Sequence, residues 1–204
     1  MAHPIKIDQL LVLDYPFLSE NDECYSLREY KPRAGYAYSA TNNFISNLKK
    51  EMDRRGRPEW RYKEEAIEEA AGLLATLNSE WLRQTTLVPI PPSTVKDDAL
   101  YDDRMLRVLR RLEERKGFAL DIRELIYQTQ STRSSSRSDR RLTIPELRAV
   151  YRVEESLAGP RPGQVCLFDD LLTTGLHFKV AKELLLDRFP QMRVMGIFLA
   201  RSLH

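Results

Sequence analysis

Val165-Cys166-Leu167-Phe168-Asp169-Asp170-Leu171-Leu172-Thr173-Thr174-Gly175 is the stretch of this 204-residue chain on which its fold and chemistry turn. Four apolar residues without alternation mark a strand buried on both faces, as in a parallel sheet. Two carboxylates end that run. Two hydroxyls and a glycine follow, where the next helix is due to begin. Ligands of open α/β sheets gather at the carboxyl ends of strands. A helix N-terminus offers unpaired backbone N–H groups and partial positive charge, which suit phosphate. Glycine lets a ligand approach the backbone closely, and carboxylates accept hydrogen bonds from sugar hydroxyls. The pattern therefore suits a sugar phosphate, with phosphate in the loop and ribose hydroxyls on the acids. The plainer alternative is an acidic strand end, with Asp170 or Thr174 capping the next helix.

Outward from this stretch, strand and helix signals alternate. Leu176 to Arg188 reads as a helix and Val194 to Ala200 as the last strand. Before it, Gly159-Pro160-Arg161-Pro162-Gly163 is a turn, and Thr143-Ile144-Pro145-Glu146 has the form of a capping box that starts a short helix. Residues 119–127 read as a strand. Residues 100–116 read as a helix, with Met105, Leu106, Leu109 and Leu112 at helical spacing and Gly117 to close it. Thr85 to Pro92 is a short strand broken by prolines. Tyr62 to Leu82 predicts one long helix, and Thr41 is placed to cap another that carries Phe44, Ile45, Leu48 and Met52 and stops near Gly56. The expected fold is α/β with a mostly parallel central sheet in three layers. Residues 1–40 form an N-terminal extension or hood and residues 41–204 the main domain.

Composition narrows the classes. Hydrophobic residues make up 42% of the chain, enough for a core, and charged residues 30%, which argues against global disorder. The net charge of +2 makes nucleic acid an unlikely main ligand. Cys24 and Cys166 imply no disulfide framework, and Cys166 reads as a buried thiol. The three histidines, His3, His177 and His204, lack metal-ligand spacing. No run has the length of a membrane span, and Met1-Ala2-His3-Pro4 lacks a basic stretch leading into an apolar one. A cytoplasmic location is the expectation.

The 165–175 string resembles the phosphoribosyl-pyrophosphate signature of type I phosphoribosyltransferases, in which an apolar strand is followed by two acids, two spacers and Thr-Thr-Gly or Thr-Gly-Gly. Within that superfamily the chain is most similar to the competence-protein F type. Leu87-Val88-Pro89-Ile90-Pro91 resembles the strand leading to the pyrophosphate loop, and Ile45-Ser46-Asn47-Leu48-Lys49-Lys50 the apolar-Lys helix before it. Gln128-Thr129, a basic loop and Ala149-Val150-Tyr151 resemble the flexible-loop segment. The likeness covers roughly residues 41–202, and only the 165–175 string is specific.

The resemblance implies a Mg2+-dependent enzyme that binds 5-phosphoribosyl-1-pyrophosphate and displaces pyrophosphate with a nitrogen base. It implies ribose hydroxyls on Asp169 and Asp170, which also help to position Mg2+ indirectly. Thr173, Thr174, Gly175, Leu176 and His177 would hold the 5-phosphate, and Pro91, Pro92 and Ser93 would begin the pyrophosphate loop. A homodimer or a protein partner is compatible with it. The fold equally admits a ribose-phosphate-binding regulator without turnover, or an effector in a phage-defence module. His177 departs from the family, which has Thr or Ser there. Its imidazole can donate to phosphate, and phosphate favours its charged form; alternatively it marks a decayed site.

Ser131 to Arg141 is rich in serine and arginine. It reads as a lid whose Arg133 and Arg137 clamp pyrophosphate, as a solvated loop, or as a nucleic-acid contact. A lid would be the most mobile internal segment without ligand, and ligand would protect it from trypsin. Asp97, Asp98, Asp102 and Asp103 cluster where a helix begins, which the helix dipole explains; acceptor or metal binding is the alternative.

Overall fold

A computed structural model describes residues 4–132 and 142–203. The strands are β1 (Ile5–Lys6), β2 (Glu23–Ser26), β3 (Glu29–Tyr30), β4 (Thr86–Pro89), β5 (Ile126–Gln128), β6 (Tyr151–Val153), β7 (Gln164–Leu172) and β8 (Arg193–Ser202). The α-helices are α1 (Ala40–Leu48), α2 (Arg61–Leu74), α3 (Ser79–Arg83), α4 (Arg104–Lys116), α5 (Ile144–Val150) and α6 (Leu176–Arg188).

The main sheet has the order β1-β2-β8-β7-β4, with β3 also paired to β8. All its pairings are parallel except β1 with β2. Helices cover both faces, so the chain is α/β with a mixed, mostly parallel sheet. On β7, Val165 and Leu167 join the layer of α5 and α6, while Cys166 and Phe168 join that of α1, α2 and α4. All four are fully buried, as an apolar run without alternation requires. The strand runs on through both acids to Leu172, because β8 pairs with it as far as Arg201. The hydrophobic string was therefore only the first half of the strand. Gly196 of β8 lets α6 close on the sheet: a Cβ there would lie 2.8 Å from the Phe178 ring.

Residues 5–30 place β1, β2 and β3 beyond β8, so the N-terminal segment extends the main sheet. From there it crosses to the site. The Phe17 N–H donates to the Thr174 carbonyl at 3.1 Å.

Several helix boundaries differ from the sequence expectation. Ser39, not Thr41, caps α1, with its hydroxyl accepting from Asn42 N–H at 3.0 Å. The helix stops at Leu48 rather than near Gly56, where the Leu48 and Lys50 carbonyls both turn to the Lys63 ammonium, at 2.8 and 2.9 Å. The single helix expected over 62–82 is two. Asn78 caps α3 through Trp81 N–H at 2.9 Å, and Lys116 holds the Leu77 carbonyl at 2.8 Å. Helix α4 begins at Arg104 and ends on Gly117 at φ +69°. The strand expected over 119–127 divides: Ile122 bridges Leu87 at the edge of the main sheet, and β5 pairs with β6 in a separate ribbon. The capping box at Thr143 and Glu146 is formed, and the Arg188 end of α6 falls where expected.

Candidate functional site

Strand alternation separates the two acids. Asp170 follows Phe168 toward the α1–α4 layer and is only 2% exposed. Its Oδ2 accepts from Arg104 Nε at 2.6 Å, and its Oδ1 lies 2.9 Å from Lys49 Nζ. Arg104 also reaches Asp102 at 2.8 Å, and Asp102 accepts from the fully buried Lys63 ammonium at 2.8 Å. The result is a continuous chain, Lys63–Asp102–Arg104–Asp170–Lys49, in which three cations enclose two anions. Burial by itself would raise the Asp170 carboxyl, but Arg104 and Lys49 outweigh it and hold the group well below the usual carboxylate range. Burial pulls the Lys63 ammonium down, and Asp102 offsets part of this.

Asp169 has a different environment. Its Oδ1 accepts from the Asp170 backbone N–H at 2.8 Å, and it stays partly exposed. Burial, then the neighbouring Asp170 carboxylate, push it up to about 7. It forms part of the wall of two clefts. One is bounded by Pro91, Pro92, Tyr101, Asp103, Arg104 and Glu124. The other is bounded by Thr173, Gly175, Leu176 and His177.

The loop that enters α6 is held from two sides. Thr174 Oγ1 accepts from Leu176 N–H at 3.4 Å, so this threonine is a weak cap as well as a candidate ligand. Gly175 has φ +84°, and a Cβ there would stand 2.5 Å from Leu18 Cγ. The glycine thus makes room for the chain's own Leu18. His177 meets the Tyr151 hydroxyl through Nδ1 at 2.8 Å. Burial first, then Lys49, lower its imidazole to about 4, which works against the charged form that phosphate would favour.

On the proline side, Gln128 Nε2 donates to the Pro92 carbonyl, Thr132 N–H to the Ser93 carbonyl at 2.7 Å, and Val95 N–H to Ser131 Oγ at 3.0 Å. The root of the basic segment is therefore stitched to the 91–95 loop. Arg133 and Arg137, and with them the lid expectation, lie outside the described residues. Of the acidic cluster, Asp102 and Asp103 directly precede α4, while Asp97 and Asp98 sit in the preceding loop.

The structure thus brings Asp169 together with Pro91 and Pro92 on one side and with Thr173, Gly175, Leu176 and His177 on the other. Ser93 follows the first group in the chain, and Asp170 lines neither cleft. Arg104, Lys63 and Tyr151 are participants to which the sequence assigned no role, and Asp102, singled out only within the acidic cluster, bridges Lys63 and Arg104. A signal for two of them existed. Lys63 stands four residues before Ile67 and Arg104 four before Val108, each on the apolar stripe of its helix, where a cation needs a buried partner.

No protein-family profile matches the chain, and no curated protein matches it. Among the described residues no helix is long and apolar enough to cross a membrane. No group of three or more His, Cys, Asp or Glu side chains among them stands ready to hold a metal ion alone.

Proposed function

We propose that the chain binds 5-phosphoribosyl-1-pyrophosphate with Mg2+ and transfers ribose 5-phosphate to a nitrogen acceptor, releasing pyrophosphate. The observation that carries this is the place of Asp169, at the carboxyl side of the central sheet and in the wall of both clefts. A ribose with phosphate groups at its two ends fits that arrangement. Its 5-phosphate would take the Thr173–His177 loop, its hydroxyls Asp169, and its pyrophosphate the side of Pro91, Pro92 and Ser93. In this reading Asp170 does not meet the sugar. It is a positioning residue that fixes Arg104 in the wall of the pyrophosphate cleft.

The donors of that cleft fit Mg2+. Asp169, Asp103 and Glu124 offer hard carboxylate oxygens, and Mg2+ takes one or two of these together with substrate phosphates and water. Bound in this way it would offset the charge of the departing pyrophosphate. The acceptor nitrogen gives its lone pair to C1. The bond from C1 to the pyrophosphate oxygen breaks, its electrons leave with pyrophosphate, and the acceptor nitrogen releases a proton. Positive charge that builds on the ring is met by ionised Asp169.

The test is pyrophosphate release with Mg2+ across a panel of nitrogen bases. Asp169→Asn should lower turnover by about 100-fold or more, the scale of losing one preorganised charge-stabilising group. Ligand binding without release from any base would favour a ribose-phosphate-binding regulator. Leu18 and Phe17 favour that second possibility, because they commit part of the phosphate loop to the chain's own N-terminal segment.

A further inference from the structure

We propose that Tyr151 is a positioning residue that holds His177 as the neutral imidazole protonated on Nε2, and that this N–H donates to an oxyanion in the cleft of Thr173, Gly175 and Leu176. The ligand half of the proposal rests on the phosphate assignment above; the tautomer half does not.

Tyr151 opens β6 and is fully buried. Its hydroxyl carries one proton, and the hydrogen bond it makes among the described residues is to His177 Nδ1, at 2.8 Å. If His177 carried its proton on Nδ1, the tyrosine would have to accept, and its own O–H would be buried without a partner. An orphaned buried donor bears its full desolvation cost. The tyrosine proton therefore points at Nδ1, Nδ1 keeps its lone pair, and the ring proton sits on Nε2. Burial, then the charge of Asp169, push the Tyr151 hydroxyl upward, so it stays a donor.

An imidazolium would carry a proton on Nδ1, so the tyrosine would again have to accept and leave its own buried O–H without a partner. The charged groups around the ring are Lys49 from the end of α1 and Asp169 and Asp170 from β7. Lys49 opposes a second positive charge, and Asp170 is already occupied by Arg104 and Lys49. His177 is thus a neutral donor, like the hydroxyl that the resembling family has at this position, but with longer reach. Binding through it should not rise with acid across the range where a free imidazole titrates.

The test uses the full chain labelled with 15N-histidine, read by two-bond proton–nitrogen correlation, with His177→Asn to assign the ring. The wild-type ring should show the Nε2-protonated pattern from about pH 8 down to about pH 5.5, below the ordinary imidazole value of roughly 6.5. A ring protonated on Nδ1 would overturn the proposal, and this holds even if Tyr151→Phe fails to fold. In Tyr151→Phe the ring should become a mixture of tautomers and titrate at higher pH. Ribose 5-phosphate, used as the probe, should bind this variant roughly twofold more weakly at pH 8, the cost of a ring that holds the donor tautomer about half of the time. That deficit should shrink as the freed ring becomes charged at lower pH. An unchanged tautomer in Tyr151→Phe, or a deficit that does not vary with pH, would also overturn it. If ribose 5-phosphate binds neither protein while the wild-type pattern holds, the ligand half fails together with the phosphate assignment.

Discussion

At residue 170 an Asp-to-Asn change would leave Arg104, Lys49 and Lys63 with Asp102 as the one remaining carboxylate of their chain. Removing one partner of a buried ion pair costs about 3–5 kcal/mol, because the other charge stays buried without compensation. For a chain of this size that is a fall in melting temperature of at least roughly 6 °C. Thermal melting of Asp170→Asn checks it; an unchanged melting point would mean that the ion chain is not organising the site.

Asp169→Asn should behave in the opposite sense. The folded carboxyl is raised to about 7 from an ordinary 3.8. Between those values the folded chain holds a proton that the unfolded chain has released. The contribution of Asp169 to stability is therefore fully present below pH 3.8 and is lost as pH rises through 7. His177 has the mirror image. Its imidazole is lowered from 6.5 to about 4, so its contribution is present above pH 6.5 and is lost as pH falls toward 4. Urea midpoints across this range should show Asp169→Asn gaining on the wild type as pH rises, and His177→Asn gaining as pH falls. Parallel curves for all three proteins would contradict both assignments.

At the scale of elements, the contact of the N-terminal segment with the 174–175 turn makes its own prediction. Gly175 has left-handed backbone, where a Cβ costs about 1–2 kcal/mol. Gly175→Ala should cost that and more, because Leu18 must also move. In a Leu18→Ala background the same change should cost less, and a double-mutant cycle measures the difference. Strict additivity would mean that Leu18 is not seated on the loop.

Which elements were legible follows from where their signals lie. The strand at Val165–Phe168, the box at Thr143 and the helix from Leu176 are set by neighbouring residues, and local pattern finds them. The ends of α1 and α2 are not local. Leu48 ends a helix because Lys63, fifteen positions later, takes its carbonyl. The break before α3 is held in part by Lys116, and Ile122 turns to the main sheet because Leu87 stands beside it. The site divides in the same way. The 165–175 string marked the acids, but their opposite surroundings appear only once the strand is seen to continue to Leu172. That continuation depends on its pairing with β8.

For the whole molecule, composition and the alternation of strand and helix signals sufficed for an α/β chain with a mostly parallel sheet. The addition of β1, β2 and β3 beyond β8 was not legible, since strands of two to four residues carry little periodicity. Asp169 stands between a loop from β4 and a loop into α6, in the wall of both clefts. The most direct measurement is thermal melting with and without 5-phosphoribosyl-1-pyrophosphate and Mg2+, on the wild type and Asp169→Asn. A ligand at a hundredfold excess over its dissociation constant adds about 2.7 kcal/mol to the folded state, or roughly 5–11 °C for a chain of this size. The wild type should rise by that amount and Asp169→Asn by much less. A wild-type protein that melts at the same temperature with and without saturating ligand would contradict the assignment of this site.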